Sequence, residues 1–219
     1  MKTTMKLLFA LLLFVGTSCS DEPDEAELTT VNASANSKSS TAVFNAITGE
    51  VIGTSVLHRN SNGVTVNFKT TDLMPGHTYT LWWVVWNKPE NCIVPGECSE
   101  ADFANALDVE VQLLYAAGHV AGNNGKGNFS GHLNENDDSG SIHELFGLPN
   151  FGGLHNAETA EIHAVLRSHG PAVPGIVNEQ IGSYLGGCPT TFPYGFPPFT
   201  EIPDEVGECG DIIAALHRL

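Results

Sequence analysis

Glu161, His163, Arg167 and His169 occupy alternate positions of one stretch, Glu161-Ile162-His163-Ala164-Val165-Leu166-Arg167-Ser168-His169-Gly170-Pro171, with Val165 filling the remaining place. On an extended strand this spacing sends the four polar side chains to one face, opposite the apolar stripe of Ala160, Ile162, Ala164 and Leu166. Imidazoles beside a carboxylate and a guanidinium suit either a zinc or copper site or a polar network that satisfies itself. At a rise of ~3.3 Å per residue, His163 and His169 stand too far apart to share one ion on a straight strand. A metal therefore requires a bend at Ser168 to Pro171, or a third ligand from a neighbouring strand, with His119 nominated from a set that includes His132 and His155. The plainer expectation is a network without cofactor, in which Glu161 or another carboxylate pairs with Arg167 and the histidines bond loop backbone.

Other constellations are weaker. His132, His143 and His155 flank the acidic loop Glu135-Asn136-Asp137-Asp138, but Ser139 stands where an EF-hand loop needs glycine, so a solvated loop is expected. Trp82 and Trp86 share one strand face and offer an aromatic platform to a glycan, the competing expectation being that they pack in a core. Gly122 to Gly127 is glycine-rich like a phosphate loop, but it reads as a hairpin turn without the helix N-terminus that would hold an anion. No G-x-S-x-G elbow, H-E-x-x-H, P-loop or dinucleotide fingerprint occurs, which favours a binding or structural module over an enzyme.

The elements that must position these residues are strands. Val64, Val66 and Phe68 alternate with polar residues between the turn pairs Asn62-Gly63 and Pro75-Gly76. His77 to Asn87 is apolar on both faces, Tyr79, Leu81, Trp83 and Val85 against Trp82, Val84 and Trp86, as a central strand should be. Val109 to Tyr115, Phe129 to Leu133 and Ala160 to Leu166 alternate likewise, and weaker runs cover 42 to 48 and 51 to 58. About seven strands of this kind predict an all-β fold, an antiparallel two-sheet sandwich of immunoglobulin-like kind, with a barrel as the alternative. Short peripheral helices are expected at 99 to 106, where Ser99 and Asp102 have capping-box spacing, and after Asp211, with His217 and Arg218 near the end of the helix. A long Pro- and Gly-rich loop fills Gly186 to Gly210.

The N-terminus supplies an address. Lys2 and Lys6 precede the apolar run Leu7 to Val15, the order of a secretory signal and too short to span a bilayer. Small residues then lead into a cysteine, Gly16-Thr17-Ser18-Cys19, which resembles the lipobox of bacterial lipoproteins, although Val15 precedes the small residues where that family usually has leucine three positions before the cysteine. The resemblance implies that residues 1–18 are removed and that Cys19 carries the lipid. Residues 19–41 follow as an acidic, then Ser- and Thr-rich tether, and 42–219 form a single domain. An acidic cluster directly after the lipid site resembles an export tag to the outer cell surface, so an outer-membrane anchor facing the periplasm or the surface is expected.

The chain has five cysteines. Assigning Cys19 to lipid leaves Cys92, Cys98, Cys188 and Cys209, and the sequence-local pairing, Cys92 to Cys98 and Cys188 to Cys209, needs the least rearrangement of the three possible. Nine Lys and Arg face 25 Asp and Glu, a net charge of −16, and loss of Lys2 and Lys6 takes it to −18. Such a surface repels phosphate backbones, which excludes nucleic acid as a partner and leaves an envelope protein or a glycan. The blocks TYTLWWVVWNKPENC, CSEADF, LYAAGHVAGNNGKGNFSGHL and AEIHAVLRSHGPAVPG, with NEQI and GGC after them, resemble a family of uncharacterised exported bacterial proteins, a likeness that covers about half the chain and implies no activity.

Overall fold

The computed structural model describes residues 36–188 and 209–219. The expected signal segment 1–18, Cys19, most of the expected tether and the greater part of the expected Pro- and Gly-rich loop lie outside them. No helix among the described residues is long and apolar enough to cross a membrane.

Eight strands follow in order: β1 (Ser37–Asn45), β2 (Val51–Asn60), β3 (Gly63–Thr70), β4 (His77–Trp86), β5 (Val111–Val120), β6 (Gly127–Asn134), β7 (Glu161–Pro171) and β8 (Gly210–His217). The helices are one-turn pieces, α1 (Ala106–Val109) and α2 (Val177–Gln180), with 3-10 turns at Pro89–Asn91, Glu100–Asn105 and His143–Phe146. The all-β expectation therefore holds. All strands join one antiparallel sheet in the order β5-β4-β7-β8-β1-β2-β3-β6. The sheet curls until its two edges approach: a Cβ added to Gly131 of β6 would stand 3.1 Å from the Cβ of Ala116 in β5. This is the barrel-like arrangement, and the pairing gives no support to a division into two immunoglobulin-like sheets.

The interior is one hydrophobic cluster to which every strand contributes, with Trp83, Leu81, Leu166 and Leu57 fully enclosed. Alternation fixed these faces: in β6, Phe129, Gly131 and Leu133 are buried while Asn128, Ser130 and His132 are exposed. β4 is buried at every position, as its two apolar faces require. Its outward side chains Val84 and Trp86 enter a second cluster with Val111 and Leu113 of β5 and with Cys92, Cys98 and Val109 from the crossing segment 87–110.

Three expectations need correction. β5 and β6 are not hairpin partners; they are the opposite edges of the sheet, and Gly122 to Gly127 carries the chain across the seam. The segment after Asp211 is a strand and not a capped helix. It fills the place between β7 and β1, and burial of Ile212, Ile213, Ala214 and Ala215 there overrides a helix preference worth only tenths of a kcal/mol per residue. β1 begins at Ser37, inside the segment expected as tether, because Ser37 to Phe44 ladder onto β2. The β1–β8 join is short, Phe44 opposite Ala214 and Asn45 opposite Ile213.

Leu166→Ala should cost about 2–5 kcal/mol in urea unfolding, because the barrel interior cannot collapse onto the hole. Leu107→Ala, at a side chain 69% exposed, should shift stability by no more than about 0.5 kcal/mol in the same assay.

Candidate functional site

β7 does present Glu161, His163, Arg167 and His169 on one face, the outer one, where they meet β4 and β8. The four divide into two networks. Glu161 is fully buried and its carboxylate accepts the backbone N–H of Cys98 (3.2 Å) and the His163 Nε2–H (2.6 Å). Arg218 Nε lies 3.7 Å from the same oxygen of Glu161. The indole N–H of Trp86 points to His163 Nδ1 at 3.3 Å, and since indole only donates, the ring proton sits on Nε2. Both nitrogens of His163 are thereby engaged.

At the other end Arg167, 1% exposed, donates to Asp211 Oδ1 (3.0 Å) and to the Tyr184 carbonyl (2.9 Å), with its guanidinium carbon 3.9 Å above the Tyr184 ring. The Tyr184 hydroxyl donates to Asp211 Oδ2 at 2.7 Å. Burial, reinforced by the charge of Asp211, holds the Tyr184 phenol well above its ordinary range. His169 Nδ1–H donates to the Gly186 carbonyl (2.9 Å). Its Nε2 accepts from the Thr80 hydroxyl (2.7 Å), which in turn accepts the Trp82 indole N–H (2.7 Å). Enclosure first, and then the positive charge of Arg167, pull His169 from 6.5 to about 4, so the ring is neutral.

These bonds decide the metal expectation. His163 and His169 have separate partners, and His119 is exposed on β5, edge-on to Phe129 with ring centroids 5.9 Å apart. The three do not converge. The group of ligand-type side chains that does converge among the described residues is His169, Cys188 and Cys209, whose ligand atoms lie within 4.8 Å of one another. Cys188 and Cys209 are joined to each other, as Cys92 is to Cys98, so both local pairings form and neither thiol of that group is free to bind zinc or copper. The acidic loop is also self-satisfied: Glu135 accepts the Ala157 N–H, Asp137 the Ser139 N–H, and Asp138 the Asn150 amide.

Trp82 and Trp86 share a face but are only 3% and 1% exposed, so they make no open platform for a glycan. They line a cavity of about 240 Å³ on the outer side of β4, β7 and β8, floored also by Val84, Val165 and Ala214. Its walls come from outside the sheet. The Cys92–Cys98 bridge closes a loop directly followed by the expected capping box, Ser99 with Asp102. Buried Asp102 accepts the N–H groups of Ile93 (2.6 Å) and Ser99 (2.8 Å), and the Ser99 hydroxyl at 2.9 Å. This pins the 3-10 turn that sets Phe103 against Trp86, ring centroids 4.9 Å apart, and brings Glu100 to the cavity. Phe146 and Tyr184 form the opposite wall, 5.1 Å apart, and Tyr184 meets Trp82 edge-on at 5.2 Å. Partial burial and then the neighbouring charge of Asp211 push the Glu100 carboxyl up.

The sequence concealed several of these residues. Asp211 read as a helix cap, Tyr184 lay in a stretch without periodicity, and Glu100 looked like any exposed turn acid. Only the Ser99–Asp102 spacing and the cysteine pairing pointed to the wall. Compared with protein-family models and with curated protein sequences, the chain matches none.

The buried histidines set an acid limit. His169 and His217 are both drawn from 6.5 to about 4, His217 by burial and then by Arg59 and His163, while Ser39 and Ser55 bond its ring. Above pH 6.5 they contribute no pH dependence. Between pH 6.5 and about 4 the unfolded chain takes up protons that the folded one refuses, so stability falls with pH. The loss is about 1.4 kcal/mol per pH unit for each histidine. Urea midpoints at about pH 7.5 and about pH 5 should show this fall, and His217→Asn should remove about half of the part these two rings contribute.

Proposed function

We propose that this chain is an exported bacterial lipoprotein, held to the outer membrane by lipid on Cys19, whose β-domain is a non-enzymatic module that binds a small ligand in the cavity over Trp82 and Trp86. The observation that carries the binding reading is the placement of that cavity. The barrel interior is filled by its own side chains, whereas the outer face of β4 and β7 leaves space between aromatic walls that a disulfide and a capping box hold apart. Small-molecule sites are of this kind, concave and mainly apolar with a few placed polar groups, and about 240 Å³ lies below the roughly 300–1,000 Å³ of drug-sized pockets. The occupant is accordingly small.

The polar groups around the cavity support binding over catalysis. The Ser99 hydroxyl donates to Asp102, and both nitrogens of His163 are held, so neither is poised as a nucleophile or base. Two disulfides suit an oxidising compartment outside the cytosol, in keeping with export. A soft-metal site at His169, Cys188 and Cys209 has their convergence in its favour, and it requires that the bridge be opened first.

An apolar fluorescent probe should bind with one-to-one stoichiometry and quench tryptophan emission. Val165→Phe, which puts a ring into the cavity from a partly exposed position, should weaken that binding at least about tenfold with the thermal transition little changed. Equal probe binding by the variant would place the site elsewhere. Intact mass of the natively produced chain checks the anchor: the expected species begins at Cys19 and carries acyl chains.

A further inference from the structure

We propose that the ligand of this cavity is a small organic cation, a fully substituted ammonium on a short apolar body, with Glu100 as its counter-charge. The inference rests on the cavity reading above and names the chemical class that fits it.

The lining is the first ground. Trp82, Trp86, Phe103, Phe146 and Tyr184 reach the cavity from β4 and from three separate segments outside the sheet. Aromatic faces carry negative charge density and attract cations, most strongly where water is excluded. Charge balance is the second. Four carboxylates stand in or beside the cavity: Glu97, Glu100, Glu161 and Asp211. The cations near them are already engaged, Arg167 by Asp211 (3.0 Å) and Arg218 between Glu97 (3.1 Å) and Glu161 (3.7 Å). Among the described residues no cationic side chain pairs with Glu100, although it lines the cavity together with Asp211. Partial burial and then the charge of Asp211 disfavour the ionised form of Glu100, and a bound cation would offset that cost.

The third ground separates a substituted ammonium from a primary one. A primary ammonium brings three N–H donors, and once desolvated each needs an acceptor. The acceptors on the wall are largely committed: each oxygen of Asp211 already takes one bond, from Arg167 or from Tyr184, and His163 Nδ1 takes that of Trp86. The three N–H bonds of an ammonium diverge, so they cannot all be directed at the one carboxylate of Glu100. A methylated nitrogen carries the same charge with no donor to satisfy, and its methyl groups pack against ring faces. An anion would meet Glu100 and Asp211 in a chain of net charge −16 and is disfavoured throughout.

The test is calorimetric titration of the purified chain with three probes: choline, its carbon isostere in which a tert-butyl group replaces the trimethylammonium, and ethanolamine. Choline should bind at least about tenfold tighter than either of the others, and Glu100→Gln should erase most of the preference over the isostere. Glu100 is exposed, and circular dichroism of the variant should match the parent. If the isostere binds as well as choline and Val165→Phe blocks both, the cavity stands and the cation proposal falls. Equal affinity for ethanolamine would overturn the requirement for a substituted nitrogen. Binding of choline that survives both Glu100→Gln and Val165→Phe overturns the assignment of the site, and failure of every probe, the apolar fluorophore included, overturns the cavity reading as well.

Discussion

Every residue of β4 is buried, and a strand enclosed on both faces obliges the chain to provide two covers. One cover is the rest of the barrel, which closes over Tyr79, Leu81, Trp83 and Val85. The other is the 87–110 excursion, which lies across Val84 and Trp86 and is stapled by the Cys92–Cys98 bridge. The two differ in kind. The interior is filled by strands whose alternation matches the sheet, and close packing leaves few voids there. The outer cover is short turns and single-turn helices, which meet Trp82, Val84 and Trp86 without the regular interdigitation of a second sheet. The space between them is the cavity.

Burial of charge follows the same geometry. Glu161, Arg59 and Arg167 are taken out of water, which is costly unless each finds bonded partners. Each does. Arg59 donates to the carbonyls of Ala157, Ala160 and His217, Glu161 accepts from Cys98 and His163, and Arg167 is held by Asp211 and the Tyr184 carbonyl. These bonds tie chain segments that the ladder does not join: Arg59 draws 157–160 to β2, and Arg167 draws 184 to β7. The Arg167, Asp211 and Tyr184 interactions thus fix one end of the cavity, while the floor at Val84, Val165 and Ala214 is apolar.

Much of the fold was legible because alternation reports burial directly. β3, β4, β6 and β7 were readable from their faces, and the Ser99–Asp102 spacing gave the 3-10 turn. What could not be read was pairing. Nothing in Val111 to Leu133 says that β5 and β6 lie at opposite edges, because a tight turn looks the same whether its flanking strands bond each other or face across a seam. The C-terminal strand was hidden for a related reason: Asp211 and the Ala-Ala-Leu run carry helix signals, and only the gap between β7 and β1 turns them into strand. For the site, the shared face of Glu161, His163, Arg167 and His169 was legible, but which of them touch depends on β4 and β8, and so the separate partners of His163 and His169 could not be read. Trp82 and Trp86 were rightly placed together, and their cover came from residues without periodic pattern.

The position of β8 bears on how the chain reaches its final form. Residues 210–217, the last of the described strands in chain order, lie in the middle of the sheet, with β5, β4 and β7 on one side and β1, β2, β3 and β6 on the other. A chain made from its N-terminus onward therefore holds two part-sheets with bare inner edges until β8 arrives to join them. Among the described strand pairs, bringing β8 to β1 closes the longest loop, and such non-local pairing slows folding and leaves strand edges open to other chains. The Cys188–Cys209 link ties the incoming strand to a segment beside β7, so that once oxidised the keystone is already at its slot. The link thus holds the strand that joins the two halves of the sheet close to the edge it must fill.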